Sequence, residues 1–259
     1  MKEPKLTSLE GLDKERSMNT THIVKSYEEE LTKLDNLVAE MGGLVELQLA
    51  QATKALVTRD LAGAEEVVAR DVEVDQLERN IDDLALRIMV LRQPLADDLR
   101  SVICALKTAS DLERIGDYVR NIANRTTVLT KVHSVSETSH MIERMAKIVQ
   151  TMIKNVLDAY ISRNADLANQ VREKDQEVDQ LHNSLFRELL TYMAEDHRAI
   201  TSCTHMLFIA KNIERIGDHV TDVAEHVHMM VVGEPVEPGR PKYDKTSTTA
   251  IEGSTIKEP

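Results

Sequence analysis

Two identical pentapeptides hold the side chains whose type and spacing point to chemistry: Glu113-Arg-Ile-Gly-Asp117 and Glu214-Arg-Ile-Gly-Asp218. On a helix, residues four apart project about 40° from one another, so each Glu-x-x-x-Asp pair shares one face. In the second copy the row continues through Asp222 and Glu225, all four falling within about 80°. A similar row lies upstream of each pair. Asp71, Asp75, Glu78 and Asp82 fall within about 60°, and Asp175 and Asp179 repeat its start. The apolar residues of the same segments (Leu112, Ile115, Val119 and Ile122; Leu77, Ile81, Leu84 and Ile88) centre on the opposite side. The carboxylates are therefore expected to point out of their bundle, with two adjacent helices presenting four or more on one surface.

Clustered carboxylates suit hard or borderline cations such as magnesium, manganese, iron or zinc. The plain alternative is a solvated acidic face. Three features weigh against it. Like charges at i, i+4 cost roughly 0.2–0.5 kcal/mol per pair, and no basic residue is read into the arc to offset them. The pair stands unchanged in both copies. Gly116 and Gly217 sit mid-helix, where glycine costs about 1 kcal/mol relative to alanine, which implies a neighbouring helix close by. The candidate metal ligands are Glu113, Asp117, Asp71 and Asp75 in the first set and Glu214, Asp218, Asp222, Glu225, Asp175 and Asp179 in the second.

Other candidates carry less. His219, His226 and His228 lie on the second acidic helix, His219 and His226 at the flank of its row, and read as ordinary surface histidines or outer ligands. Glu137-Thr-Ser-His140 is a lone Glu-x-x-His, whereas a di-iron helical site needs two. The sequence holds no P-loop, dinucleotide fingerprint, nucleophile elbow or zinc-finger spacing, so an enzyme is not expected. The rival readings are a carboxylate-bridged metal oxidase, opposed by outward rows and the missing second Glu-x-x-His, and a metal-free helical scaffold.

The elements that position these rows are helices. Of 259 residues 3% are aromatic, Trp is absent, and there are nine glycines and six prolines. A core of Leu, Ile, Val, Ala and Met with so little punctuation suits helix-on-helix packing. Apolar periodicity predicts helices over about 23–58, 61–92, 96–131, 136–162, 165–194 and 199–231. Polar turns lie at Arg59-Asp60 and Asn164-Ala165-Asp166, and Pro94 stands where a helix begins afresh. Residues 1–22 read as a loose polar arm, and 232–259, rich in Pro, Gly and Thr, as a disordered tail. Asp71-Val-Glu-Val-Asp-Gln-Leu77 matches Asp175-Gln-Glu-Val-Asp-Gln-Leu181 in six of seven positions at an offset of 104, and the pentapeptides follow at 101. Met41 and Met145, Ala55 and Ala159, and Arg59 and Arg163 share the first offset. This is an internal duplication. It predicts an all-α fold of two tandem three-helix bundles, 23–131 and 136–231, packed side by side.

The net charge of −12 argues against nucleic acid and anionic membrane surfaces as partners. Cys104 and Cys203 are isolated, as expected of buried thiols in a reducing compartment. Met141, Met145, Met152, Met193 and Met206 read as core filler. With no apolar run near 20 residues and no signal-peptide core, the chain is expected to be cytoplasmic, without direct membrane insertion.

The duplicated pentapeptide, with Met41-Gly-Gly-Leu-Val-Glu46, Arg92-Gln-Pro94, Asp98-Leu-Arg100 and Thr191-Tyr-Met193, resembles the PhoU family of phosphate-signalling proteins over residues 23–231. The resemblance implies paired three-helix bundles with multinuclear metal sites at the Glu/Asp-x-x-x-Asp motifs, here Glu113/Asp117 and Glu214/Asp218. It also implies a homodimer that negatively regulates phosphate-starvation signalling and modulates phosphate transport. The implied partners are the ATPase subunit of a phosphate transporter and a phosphate-sensing histidine kinase. One departure stands out. Where the family often has an acid, the first repeat has Asn124, and Asn121 and Asn124 stand against Asp222 and Glu225 in the second. On that ground the second repeat is expected to hold metal more tightly.

Overall fold

The computed structural model describes residues 9–132, 136–236, 244 and 246. It contains six helices and, among those residues, no strand. They are α1 (Leu9–Thr58), α2 (Leu61–Arg92), α3 (Ala96–Leu129), α4 (Ser136–Ser162), α5 (Ala165–Glu195) and α6 (Ile200–Val232), the last entered through a short 3-10 turn at His197–Ala199. The interior breaks fall close to the periodicity-based positions. The start of α1 does not: helical backbone begins at Leu9 rather than near 23. Residues 12–24 contain no glycine or proline, so nothing stops an established helix from propagating through polar residues of adequate propensity. Residues 1–8 of the expected arm lie outside the described residues. So does most of the expected tail, of which 232–236, Asp244 and Thr246 are described.

The α1–α2 and α4–α5 turns show why the repeat matches reach as far as single residues. The amide of Asp60 donates to Ala55 O at 2.9 Å, and that of Asn164 donates to Ala159 O at 3.0 Å. Arg59 (φ 54°) and Arg163 (φ 52°) sit between in the left-handed region, completing the same C-terminal cap in both repeats. Asp60 and Asn164 then cap the next helix, accepting from Gly63 N at 3.1 Å and Leu167 N at 3.0 Å. One helix therefore ends and the next begins with almost no loop. Positive φ is unfavourable for arginine, and both guanidinium groups are tied down. Arg59 donates to the carbonyls of Leu129 (2.6 Å) and Val132 (2.7 Å), while Arg163 donates to Asp35 (2.8 Å) and Ser101 (3.2 Å).

The packing is two three-helix bundles side by side. Helix α2 lies on α1 and α3, and α5 lies on α4 and α6; α1 also packs on α3 and α4 on α6 within each repeat, and the repeats meet through α3 on α6 and α1 on α4. The outer helices are thus α2 and α5, each carrying an acidic row, and α3 and α6 form the centre. One continuous apolar core runs through both repeats, from Leu34, Met41 and Leu49 to Ile115, Ile122, Met145, Val149, Ile209 and Val223. Met145, Met152 and Met206 are buried in it, Met141 and Met193 pack at its edge, and Cys104 and Cys203 are free and buried. No described helix is long and apolar enough to cross a membrane.

Gly116 and Gly217 occupy equivalent crossings. A Cβ on Gly116 would stand 3.2 Å from Val74 Cγ1 and 3.7 Å from Asp71 Oδ1; one on Gly217 would collide with the Asp175 carboxylate and lie 3.8 Å from Val178. These glycines let α2 and α5 approach over the acidic rows. Gly217→Leu should therefore destabilise by roughly 1–3 kcal/mol through overpacking. An unchanged urea midpoint for that variant would show that the crossing is not tight.

Candidate functional site

The close approach at the two glycines overturns the outward orientation inferred from the helical wheel. Asp71 is only 6% exposed, Asp175 1%, Asp179 3% and Glu214 4%. The wheel angle locates a row relative to its own apolar stripe, but not the distance of the next helix. Here the two rows of each repeat lie along an α2–α3 or α5–α6 contact.

In the first repeat, Asp71 and Asp75 on α2 meet Glu113 and Asp117 on α3. Burial pushes the Asp71 carboxyl up, and the facing Arg120 pulls it back only in part. Glu113 is also raised, by burial first and then by the charges of Asp117, Glu78 and Asp75. Arg120 bridges the rows, pairing with the Asp71 carboxylate and, at 2.6 Å, with Asp117. A basic residue therefore does share the arc, contrary to the sequence reading. Arg120 lies three positions after Asp117, about 20° from Glu113 in projection, so the signal was present.

In the second repeat, Asp175 and Asp179 on α5 are buried beside Glu214 and Asp218 on α6. Burial raises the Glu214 carboxyl to about 7, against the pull of Lys211 and with a push from Asp218 and Asp244. The Lys211 ammonium lies 2.6 Å from Glu214 and 2.8 Å from Asp244, so this repeat too has a cation at its row, one that ties α6 to the C-terminal segment. Asp244 belongs to the segment read as tail. Burial raises its carboxyl, but the Lys211 and Thr246 hydrogen bonds outweigh this and hold it well below the usual range. It also lies 3.6 Å from buried His182. Neither Lys211 nor Asp244 was singled out from sequence; Lys211, three residues before Glu214, had the spacing of a helical ion pair.

The remaining two expected ligands have partners of their own. Glu225 pairs with Arg172 at 3.1 Å. Asp222 turns to the α3–α6 junction, where it joins His219 and a residue not singled out before, Asp111. The half-buried His219 and His226 are therefore not ordinary surface histidines: Nδ1 of His219 lies 2.9 Å from Asp111 Oδ1, and Nε2 of His226 lies 3.0 Å from Asp111 Oδ2. Of the lone Glu-x-x-His, His140 is exposed beside Glu143 at 3.8 Å, and the Glu137 side chain lies outside the described residues. With the rows buried, orientation no longer counts against a metal oxidase. The missing second Glu-x-x-His still does.

Each row pair offers four carboxylates, a donor set of the right hardness for magnesium, manganese or iron. Arg120 and Lys211 show that each place is built around positive charge. A metal ion there would be held by Asp71, Asp75, Glu113 and Asp117, or by Asp175, Asp179, Glu214 and Asp218, and would compete with the organic cation. Of the extra charges expected of the second set, that of Glu225 is matched by Arg172 on α5, and that of Asp222 turns to the α3–α6 junction.

Residues 38–126 and 142–227 each match the PhoU domain, one match per repeat. The chain is 45% identical over 231 residues, 89% of its length and 98% of the relative's, to a phosphate-specific transport system accessory protein PhoU homolog of Rhizobium meliloti. A homolog of the same description in Caulobacter vibrioides is 47% identical over 228 residues, covering 88% of this chain and 99% of the relative. The crystal structure of PhoU from Pseudomonas aeruginosa superposes with a TM-score of 0.78 at 38% identity, over 80% of this chain and all of that one. That of the phosphate transport system regulatory protein PhoU from Streptococcus pneumoniae gives 0.76 at 28% identity, over 82% and 99%.

Proposed function

The chain belongs to the PhoU family, and from that premise we propose that it is a non-enzymatic, cytoplasmic regulator of phosphate homeostasis. It restrains phosphate-starvation signalling when phosphate is plentiful and modulates phosphate transport. The observation that carries this reading is the near end-to-end match to accessory proteins of phosphate transport systems, with one family-domain match in each repeat. The partners that follow are the transporter's ATPase subunit and the phosphate-sensing histidine kinase. The exposed Leu86, Val90, Leu91, Leu95 and Leu99 around the α2–α3 turn support a protein partner there, since concentrated apolar exposure is typical of interaction sites. We assign the chain a homodimeric state, which a monomeric mass in sedimentation at micromolar concentration would refute.

The regulatory claim is tested by deleting the gene and assaying alkaline phosphatase in phosphate-rich medium. High expression despite abundant phosphate is expected, with repression restored by the wild-type gene; unchanged repression in the deletion would remove the claim. The rows enter as cation sites that set the regulator's shape or affinity. A complementing gene carrying Glu113→Gln, Asp117→Asn, Glu214→Gln and Asp218→Asn should yield protein with reduced bound metal and weakened repression. Full metal content in that variant would return the rows to purely electrostatic, Arg120- and Lys211-bridged contacts.

A further inference from the structure

The histidine–aspartate cluster at the α3–α6 junction is separate from the carboxylate rows and has a different donor chemistry. His219, Asp222 and His226 follow one another at i, i+3 and i+7, within about 60° on one face of α6. Asp111 comes to meet them from α3, in the other repeat. One ligand atom from each of Asp111, His219 and Asp222 lies within 4.8 Å of the other two. His226 approaches the second oxygen of Asp111 at 3.0 Å. We propose that Asp111, His219, Asp222 and His226 form a binding site for a borderline divalent transition metal of the zinc class, one that ties the two repeats together.

Two observations carry the assignment beyond a chance ion-pair group. The donor set is two imidazoles and two carboxylates, which selects zinc-like ions over magnesium or calcium, whereas the rows offer oxygen alone. The Tyr118 ring packs against the His219 ring with centroids 5.7 Å apart, the kind of neighbour that fixes a ligating imidazole in orientation.

The site exists once, although the fold is duplicated. At the pentapeptide offset, Asp111, His219, Asp222 and His226 correspond to Asn212, Tyr118, Asn121 and Arg125. None of those four is a metal ligand of comparable strength. The related position is instead filled by the Arg125 guanidinium, 4.1 Å from the centre of the Phe208 ring on α6, a cation–π contact. The junction is therefore asymmetric: an organic cation closes one half, and a metal closes the other.

The test uses the full chain, stripped of metal and titrated with cobalt(II) as a spectroscopic stand-in for zinc. One equivalent should bind with the intense visible absorption of a four-coordinate ion, be displaced by zinc, and raise the melting temperature. His219→Ala/His226→Ala and, separately, the near-isosteric Asp111→Asn should lose that band while retaining wild-type helix content without metal. The quadruple row variant Glu113→Gln/Asp117→Asn/Glu214→Gln/Asp218→Asn should keep it. No band in the wild-type protein, a band that survives in Asp111→Asn, or one that disappears in the row variant would each overturn the site. This outcome is independent of the phosphate-signalling reading.

Discussion

Truncating Tyr160 to alanine is expected to cost about 3–5 kcal/mol, the range for removing a large buried aromatic side chain. Tyr160 is fully buried on α4, and its hydroxyl donates across the repeat boundary to Asp35 Oδ1 on α1 at 2.7 Å. Arg163 holds the other oxygen of the same carboxylate at 2.8 Å and lies over the Tyr160 ring. Burial, reinforced by Asp35, pushes the phenol far above its ordinary value, so it stays a donor at any accessible pH. Tyr160→Phe should cost only about 1–2 kcal/mol: it deletes one hydrogen bond while Asp35 keeps its arginine. Urea unfolding of the two variants separates cavity from hydrogen bond. Because one core spans both repeats, each variant should lower the midpoint of a single transition at constant slope. A Tyr160→Ala loss below about 1 kcal/mol would mean that the boundary between the repeats is not a packed core.

The fold was legible because its signals are local and repeated. Apolar residues recur at helical spacing, glycine and proline are scarce, and the duplicated blocks fix how many helices each half contains. The matches of Ala55 with Ala159 and Arg59 with Arg163 came from sequence alone, yet their meaning is geometric: the same left-handed arginine cap. At the acidic rows, the shared face of each Glu-x-x-x-Asp pair was legible and its burial was not. Four-residue spacing places Glu113 with Asp117 on any helix, whereas burial depends on how near α2 approaches, which Gly116 and Gly217 signalled only indirectly. Arg120 and Lys211 were within reach of helical arithmetic, three positions from an acid. The junction cluster was not. Asp111 lies 108 residues from His219 and 115 from His226, and only the docking of α3 on α6 brings them together.

In metal-free buffer, Glu214→Gln is expected to stabilise the protein by roughly 2–3 kcal/mol at pH 8 and to change little at pH 4. Burial lifts the Glu214 carboxyl from 4.5 to about 7 in the folded chain. At about 1.4 kcal/mol per pH unit, that lift, already net of the opposing pull of Lys211, corresponds to roughly 3 kcal/mol, most of which Gln recovers as a neutral stand-in for the protonated acid. The sign follows from proton binding. Between pH 4.5 and 7 the folded state holds more protons at this carboxyl than the unfolded state does, so stability falls as pH rises through that window and the full penalty persists above it. Denaturant midpoints at pH 4, 6 and 8 should therefore fall for the wild type relative to the variant, the gap opening across the window. A variant less stable than wild type at pH 8 would show that the Lys211 ion pair outweighs burial. Glu113, at the same position of the first repeat, is pushed in the same direction, but its side chain is 22% exposed against 5% for Glu214. Glu113→Gln should accordingly give a smaller gain. Two carboxylates placed where ionisation is unfavourable, beside further acids, are destabilising in the bare protein. Such a cost is commonly retained at sites whose ligand removes it, and a cation bound at either row would do so.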